Sequence, residues 1–310
     1  MHSDKPIEIP DRPKCWSHAF SPTACLQVTG EDALSFLQGQ FTQELRSSAE
    51  SAVAYGLWLN QKGKVLADSF ILREDAQNVW VISFSSTAMV IRERLESYII
   101  ADDVMIEDVT AQWSGLTVGG GAAEAWLHAQ AGGGLPVTGQ FLRTADGFLF
   151  RGRRGAGESW EWLRPVGTVW PQGPELFSGE QMERLRIAAG IAAVPADIGP
   201  GELPNEGGLE VDAISYTKGC YLGQEVMARL KSMGQLRRRL VRVAAEGRPP
   251  AVPCALLQGE TRVGELRSAA ADGAGGFIGL ALVTTLRLDA SEPLAPEPGG
   301  HAYIRLIDTP

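Results

Sequence analysis

The feature that most constrains the fold is a change of pattern at Gly234. Before it, stretches with helical spacing alternate with stretches that read as strands. After it only short apolar segments remain, at 240–243, 255–257, 261–266, 276–283 and 302–307, separated by Gly, Pro and Asp. Runs this short and turn-bounded read as strands, so the sequence predicts an α+β body followed by a small all-β module. Within the body, Ala33, Phe36, Leu37 and Phe41 follow a helical spacing broken at Gly39, and Thr29-Gly30-Glu31-Asp32 before them has the form of a capping box. Residues 51–58, 65–72 and 79–84 read as strands, with a turn at Asn60-Gln61-Lys62-Gly63; 87–100 reads as a helix and 105–109 as another strand. A first lobe over 1–110 is expected, then a second over 111–233 with a helix at 181–191, then the all-β module over 234–310. Gly119-Gly120-Gly121 and Gly132-Gly133-Gly134 match neither a P-loop nor a dinucleotide fingerprint and are read as loops.

Composition narrows the function classes. At 310 residues and 44% hydrophobic content the chain is a folded globular protein rather than a disordered one. A net charge of −9 argues against generic nucleic-acid binding, so tRNA is not expected as a partner, although Arg229, Lys231, Arg237, Arg238 and Arg239 form one basic cluster. No stretch approaches the roughly eighteen apolar residues of a membrane span, and residues 1–6 lack a signal-peptide pattern, which points to a cytoplasmic protein without membrane contact. Cys15, Cys25, Cys220 and Cys254 form no C-x-x-C pair, and His2, His18, His128 and His301 are scattered, so no metal ligand set is visible and free thiols are expected.

The densest chemistry lies in Lys218-Gly219-Cys220-Tyr221-Leu222-Gly223-Gln224-Glu225, followed by Val226-Met227-Ala228-Arg229. Residues 213–216 read as a short strand, and Leu222, Val226 and Leu230 recur on one helical face. Cys220 is thus placed near a helix start with Lys218 beside it, two influences that favour a thiolate. Gln224 and Glu225 fall in the first helical turn, where Glu225 complements the dipole; Arg229, four residues on, is spaced either to pair with Glu225 or to point into a pocket.

This octapeptide resembles the signature of the YgfZ family, folate-binding proteins similar to the T-protein (aminomethyltransferase) of the glycine cleavage system. Gly30-Glu31-Asp32-Ala33, Phe36-Leu37-Gln38-Gly39-Gln40 and Val263-Gly264-Glu265-Leu266-Arg267-Ser268 resemble other recurring patches of that family. The resemblance implies two interwoven α+β lobes and a carboxy-terminal β-barrel around a folate pocket, a role in iron–sulfur cluster assembly or repair, and Cys220 as the functional thiol facing that pocket. The implied ligand is tetrahydrofolate or a one-carbon derivative, and the implied partners are iron–sulfur client or assembly proteins. Gly155-Ala156-Gly157-Glu158 resembles the segment holding the pterin-binding acid, which makes Glu158 the candidate; Arg186, in Arg186-Ile187-Ala188-Ala189-Gly190, resembles the folate-contacting arginine. Many relatives carry an acid where this chain has Ala188. Asp68 falls where the T-protein resemblance puts its acid, with Asn60 in the preceding turn, and a strand would bury it beside Phe70 with a raised pKa suited to acid–base work. Lys218, Tyr221 and Arg229 complete the implied folate contacts. The same residues also support an alternative, a folate-dependent aminomethyltransferase.

Overall fold

The computed structural model of the chain describes residues 13–46, 51–131, 134–155, 157–286 and 288–308. Of the residues singled out above, His2, Gly132, Gly133, Ala156 and the stretch 1–6 lie outside them. In chain order the elements are β1 (Trp16–Phe20), β2 (Ala24–Thr29), α1 (Ala33–Gln40), β3 (Ala52–Leu59), β4 (Val65–Arg73), β5 (Asn78–Ser83), α2 (Ala88–Glu96) and β6 (Met105–Asp108). Then come β7 (Trp113–Gly119), α3 (Ala123–Ala131), β8 (Phe141–Arg143), β9 (Phe148–Arg151), β10 (Ser159–Pro165), β11 (Glu175–Leu176), α4 (Gly179–Ala188) and α5 (Gln224–Met233). The chain closes with β12 (Arg238–Glu246), β13 (Cys254–Gln258), β14 (Thr261–Ala271), β15 (Gly276–Thr284) and β16 (Arg305–Leu306).

Three sheets result. The first is ordered β3-β4-β5-β2-β6 and the second β11-β1-β7-β10-β9-β8, so β1 belongs to the second sheet although it precedes every strand of the first. That crossing interweaves the two α+β lobes. The third, β13-β14-β15-β12-β16, is an antiparallel sheet curled into a half-barrel.

Period-two alternation along β4 explains the layering. Ile71 turns to one face, where it packs with Leu37, Trp58, Ile91 and Leu95 under α1 and α2. Phe70 and Leu72 turn to the other, against Phe141, Phe148 and Phe150 of the second sheet. Asp68 shares the parity of Phe70 and Leu72, so it faces the interior between the sheets.

Several local readings are corrected. Thr29 ends β2 rather than capping a helix; Asp32 is the α1 N-cap, without a side-chain cap, and its Oδ2 accepts the Asp103 N–H at 3.0 Å. Helix α1 passes through Gly39 to Gln40. Residues 213–216 form no strand; their backbone is tied to the first lobe by Ser215 N–H donating to Thr42 O at 3.0 Å. Helix α4 starts two residues before the expected 181, where Ser178 and Gln181 make a reciprocal capping box.

Candidate functional site

The motif is a surface loop anchored on both sides. Lys218 is 6% exposed, and its ammonium donates to the carbonyls of Gln38, Phe41 and Gln43 at 2.8, 2.7 and 2.9 Å, capping the negative end of α1. Burial pulls this ammonium down to about 8, with Glu44 acting in the opposite sense, so it remains a cation at neutral pH. Tyr221 packs among Leu57, Leu59, Val194 and Met227, and burial raises its phenol to about 12. Leu222 N–H donates to Gly39 O at 3.2 Å. Gly223 then takes φ 87°, and a Cβ there would stand 3.0 Å from Asn60 O. Only glycine lets the chain turn left-handed this close to the β3–β4 turn before α5 begins.

Cys220 stands exposed between these anchors. The helix start expected at the thiol lies further on, at Gln224 behind the N-cap Gly223, and the charge expected beside it is committed to α1 carbonyls. Nor is Cys220 among the residues that line the cavity around Asp68. Asn60 serves the turn: its Oδ1 accepts the N–H groups of Lys62 and Lys64 at 2.9 and 3.1 Å. Arg229 is exposed on α5 and forms no ion pair with Glu225 among the described residues.

A cavity of about 360 Å³ brings Asp68 and Arg186 together with Tyr55, Ser83, Phe84, Arg153, Arg154 and Glu183. Asp68 sits at a convergence of hydroxyls. Tyr55 O–H donates to Oδ2 at 2.9 Å, and the Ser83 and Ser86 hydroxyls lie 3.1 and 2.8 Å from Oδ1. Burial raises the Asp68 pKa while these hydroxyls and Arg153 hold it back. Arg153 Nη1 donates to the Tyr55 oxygen at 3.0 Å, leaving the phenolic proton for Asp68, and Arg153 is itself held by Asp212 at 2.8 Å. With about four lone-pair sites on a carboxylate and three hydroxyl partners, Asp68 keeps roughly one for a ligand donor.

Arg186 is fully occupied by protein. Its five N–H donors reach both Glu183 oxygens, Ile191 O, Asp197 Oδ2 and Ser268 Oγ, all within 2.5–2.9 Å. It therefore orients Glu183 toward the cavity rather than offering its own fork. Ser268 brings β14 of the half-barrel into the site, and its hydroxyl donates to the buried Asp197 at 2.6 Å. Ala188, where relatives carry an acid, is buried against Ala270, Ile278 and Leu280, surroundings that would not solvate a carboxylate.

Glu158 lies elsewhere. It directly precedes β10, pairs with Arg151 across the β9–β10 hairpin, and lines a separate groove with Trp16 and Glu124. It is not among the residues that line the cavity with Asp68. Glu183, whose two oxygens accept from Arg186, is a second carboxylate in the lining of that cavity beside Asp68. Sequence reading missed Tyr55, Ser83, Ser86, Arg153, Arg154 and Glu183; a correctly registered β3–β4 hairpin would have put Tyr55 on the Asp68 face.

Residues 19–134 match the family model described as the GCVT N-terminal domain, and 237–303 match the CAF17 C-terminal beta-barrel domain. Human "Iron-sulfur cluster assembly factor IBA57, mitochondrial" is 30% identical over 292 residues, covering 83% of this chain and 74% of that protein. The "tRNA-modifying protein YgfZ" of Colwellia psychrerythraea is 24% identical over 238 residues, covering 74% of this chain and 71% of its own length. The chain spans just under two thirds of other IBA57 relatives, 66% of the mouse protein and 63% of that of Cryptococcus neoformans. Among solved structures, the glycine cleavage system aminomethyltransferase T of Bartonella henselae superposes with a TM-score of 0.80 at 19% identity, over 94% of this chain and 84% of that one, which establishes a shared fold. The IBA57 relatives are named as mitochondrial and the YgfZ relatives for tRNA modification, so neither the cytoplasmic expectation nor the one against tRNA is supported by them. Among the described residues no helix is long and apolar enough to cross a membrane.

Proposed function

The chain belongs to the family of the iron–sulfur cluster assembly factor IBA57 and its YgfZ relatives, and from that premise we propose that it supports iron–sulfur cluster assembly or repair, with Cys220 as its working thiol and tetrahydrofolate or a one-carbon derivative in the Asp68 cavity. The observation that carries this reading is the anchoring of the motif: Lys218, Tyr221 and Gly223 are fixed from below, while the Cys220 thiol between them is exposed. An exposed thiol on a loop held this firmly is available to a partner protein or to a cluster passing as cargo, whose remaining ligands the partner supplies.

The lining of the cavity supports a folate head group as its ligand. Asp68 and Glu183 are acceptors for heterocycle N–H donors, and Phe70 and Phe84 offer ring surface. A folate held there carries a one-carbon unit; the residues of this chain bind and orient it. The division of labour into a thiol outside and a ligand inside accounts for both features without requiring transfer chemistry at Cys220. The aminomethyltransferase alternative rests on the buried, hydroxyl-bound Asp68 as acid–base residue, and turnover of an aminomethyl donor with tetrahydrofolate, abolished in Asp68→Asn, would promote it.

The test is complementation. In a bacterium lacking its own YgfZ, this chain is expected to restore iron–sulfur enzyme activity and Cys220→Ser to restore about a tenth of it or less, as for loss of a nucleophile or ligand. Equal restoration by both would remove the thiol from the account.

A further inference from the structure

The proposed function leaves Arg154 without a task. This residue follows β9 and lines the cavity, and its guanidinium carbon lies 4.0 Å from the ring centroids of both Phe20 and Phe84. The two rings meet edge to face with centroids 5.2 Å apart and hold the guanidinium in their corner. Its side chain keeps 17% of its exposure. The acid nearest to it is the fully buried Glu161, 3.6 Å from Nε, which makes no hydrogen bond to it. Neither terminal nitrogen of Arg154 has an acceptor among the described residues. An arginine fork that is fixed, partly desolvated and unfilled is a receptor for a planar or tetrahedral anion.

The surroundings are shaped for this arrangement. Phe20 faces Gly115 across the β1–β7 ladder, where a Cβ would stand 2.2 Å from the ring. Glu161 has room because residue 152 is glycine, since a Cβ there would lie 2.3 Å from Oε1, and Thr117 Oγ1 donates to Oε2 at 2.7 Å. Gly179, the first residue of the ten-residue α4, lines the same cavity and brings the positive end of that helix to it. Arg153 is already taken by Tyr55 and Asp212, and Arg186 by five protein acceptors.

We propose that Arg154 forms an anion subsite of the cavity, taking a carboxylate or phosphate group carried by the same ligand whose donor edge meets Asp68 and Glu183, with Glu161 as a positioning residue that tempers its charge. This rests on reading the cavity as a ligand site, and it does not require the ligand to be a folate. An ionised Glu161 offsets the cation from behind, so an uncharged replacement of the same shape strengthens anion binding.

The test is calorimetric titration of the full chain and its variants with 5-formyltetrahydrofolate, with 5-formyl-6-methyltetrahydropterin, which carries no carboxylate, and with inorganic phosphate. Arg154→Gln is expected to weaken the folate by about tenfold or more, leave the carboxylate-free pterin unchanged and abolish phosphate binding. Arg154→Lys, which keeps the cation and reports on folding, should retain phosphate, and Glu161→Gln should bind phosphate more tightly than the parent at about pH 8. Phosphate binding that depends on Arg154, without binding of either pterin, upholds the subsite and retires the folate. Folate binding unaffected by Arg154→Gln, or no binding of any of the three by the parent, overturns the subsite. A Glu161→Gln chain with unchanged phosphate affinity removes Glu161 from it.

Discussion

Lys218→Met is expected to lower the unfolding free energy by about 3–5 kcal/mol, the cost of leaving a buried charged network half made. Methionine fills the channel of the lysine stem but donates nothing, so the carbonyls of Gln38, Phe41 and Gln43 lose their shared partner in a site that water reaches poorly. Those carbonyls close α1 and start the segment after it, and the same ammonium pins the base of the Cys220 loop. One substitution therefore loosens two distant stretches of chain. Urea unfolding followed by tryptophan fluorescence measures it as a fall in midpoint. A loss below about 1 kcal/mol would mean that the loop is held by Tyr221 and Gly223 alone.

Glu161 should dominate the pH dependence of stability near neutrality. Burial between Thr117 and Arg154 raises its carboxyl from an ordinary 4.5 to about 7, with Arg154 and the Thr117 hydroxyl acting against the rise. A carboxyl whose folded pKa lies above its unfolded one binds more protons in the native state between those values. Its stabilising contribution is therefore complete below about pH 4.5 and is lost as pH rises through about 7, a change on the order of 3 kcal/mol. Glu161→Gln keeps the shape without the titration. Relative to the parent, the variant should gain on the order of 3 kcal/mol between about pH 5 and pH 8. Unfolding curves that remain parallel across that range would show that Glu161 is not buried as a reluctant anion.

How far the sequence was legible depended on how local the signal was. The half-barrel was readable because each of its strands is short and turn-bounded, and the β3–β4–β5 meander because Asn60 and Gly63 punctuate it. Helix α3 was not read, since glycine-rich stretches flank it and it buries only Ala123 and Leu127 fully, with Trp126 and Ala131 partly buried beside them. The fate of Cys220 was misread for a similar reason: the strand at 213–216 that would have launched a helix at the thiol is irregular backbone held by tertiary contacts.

The cavity shows the limit most clearly. Asp68 was visible as a strand acid, yet its partner Tyr55 was not. Leu59 pairs with Val65 but Trp58 pairs with Ala67, a bulge that shifts the register by one residue. Counted from the turn without that bulge, Tyr55 falls on the face opposite Asp68; with it, Tyr55 stands across from Phe70 and beside the acid. Arg153 and Arg154 are adjacent in a loop without periodicity, and nothing local distinguishes the one that Asp212 holds from the one that sits between Phe20 and Phe84 beside Glu161. Glu158 was read as a glycine-flanked acid; β10 begins immediately after it, and it pairs with Arg151 and lines a different groove from Asp68.

The central claim, that the cavity around Asp68 receives tetrahydrofolate while the thiol works outside it, is tested most directly by calorimetric titration of the wild-type chain with tetrahydrofolate beside Asp68→Ala. One ligand per chain is expected, weakened by about tenfold or more in Asp68→Ala and unchanged in Cys220→Ser. No heat from the wild-type chain, or equal affinity in Asp68→Ala, would contradict it.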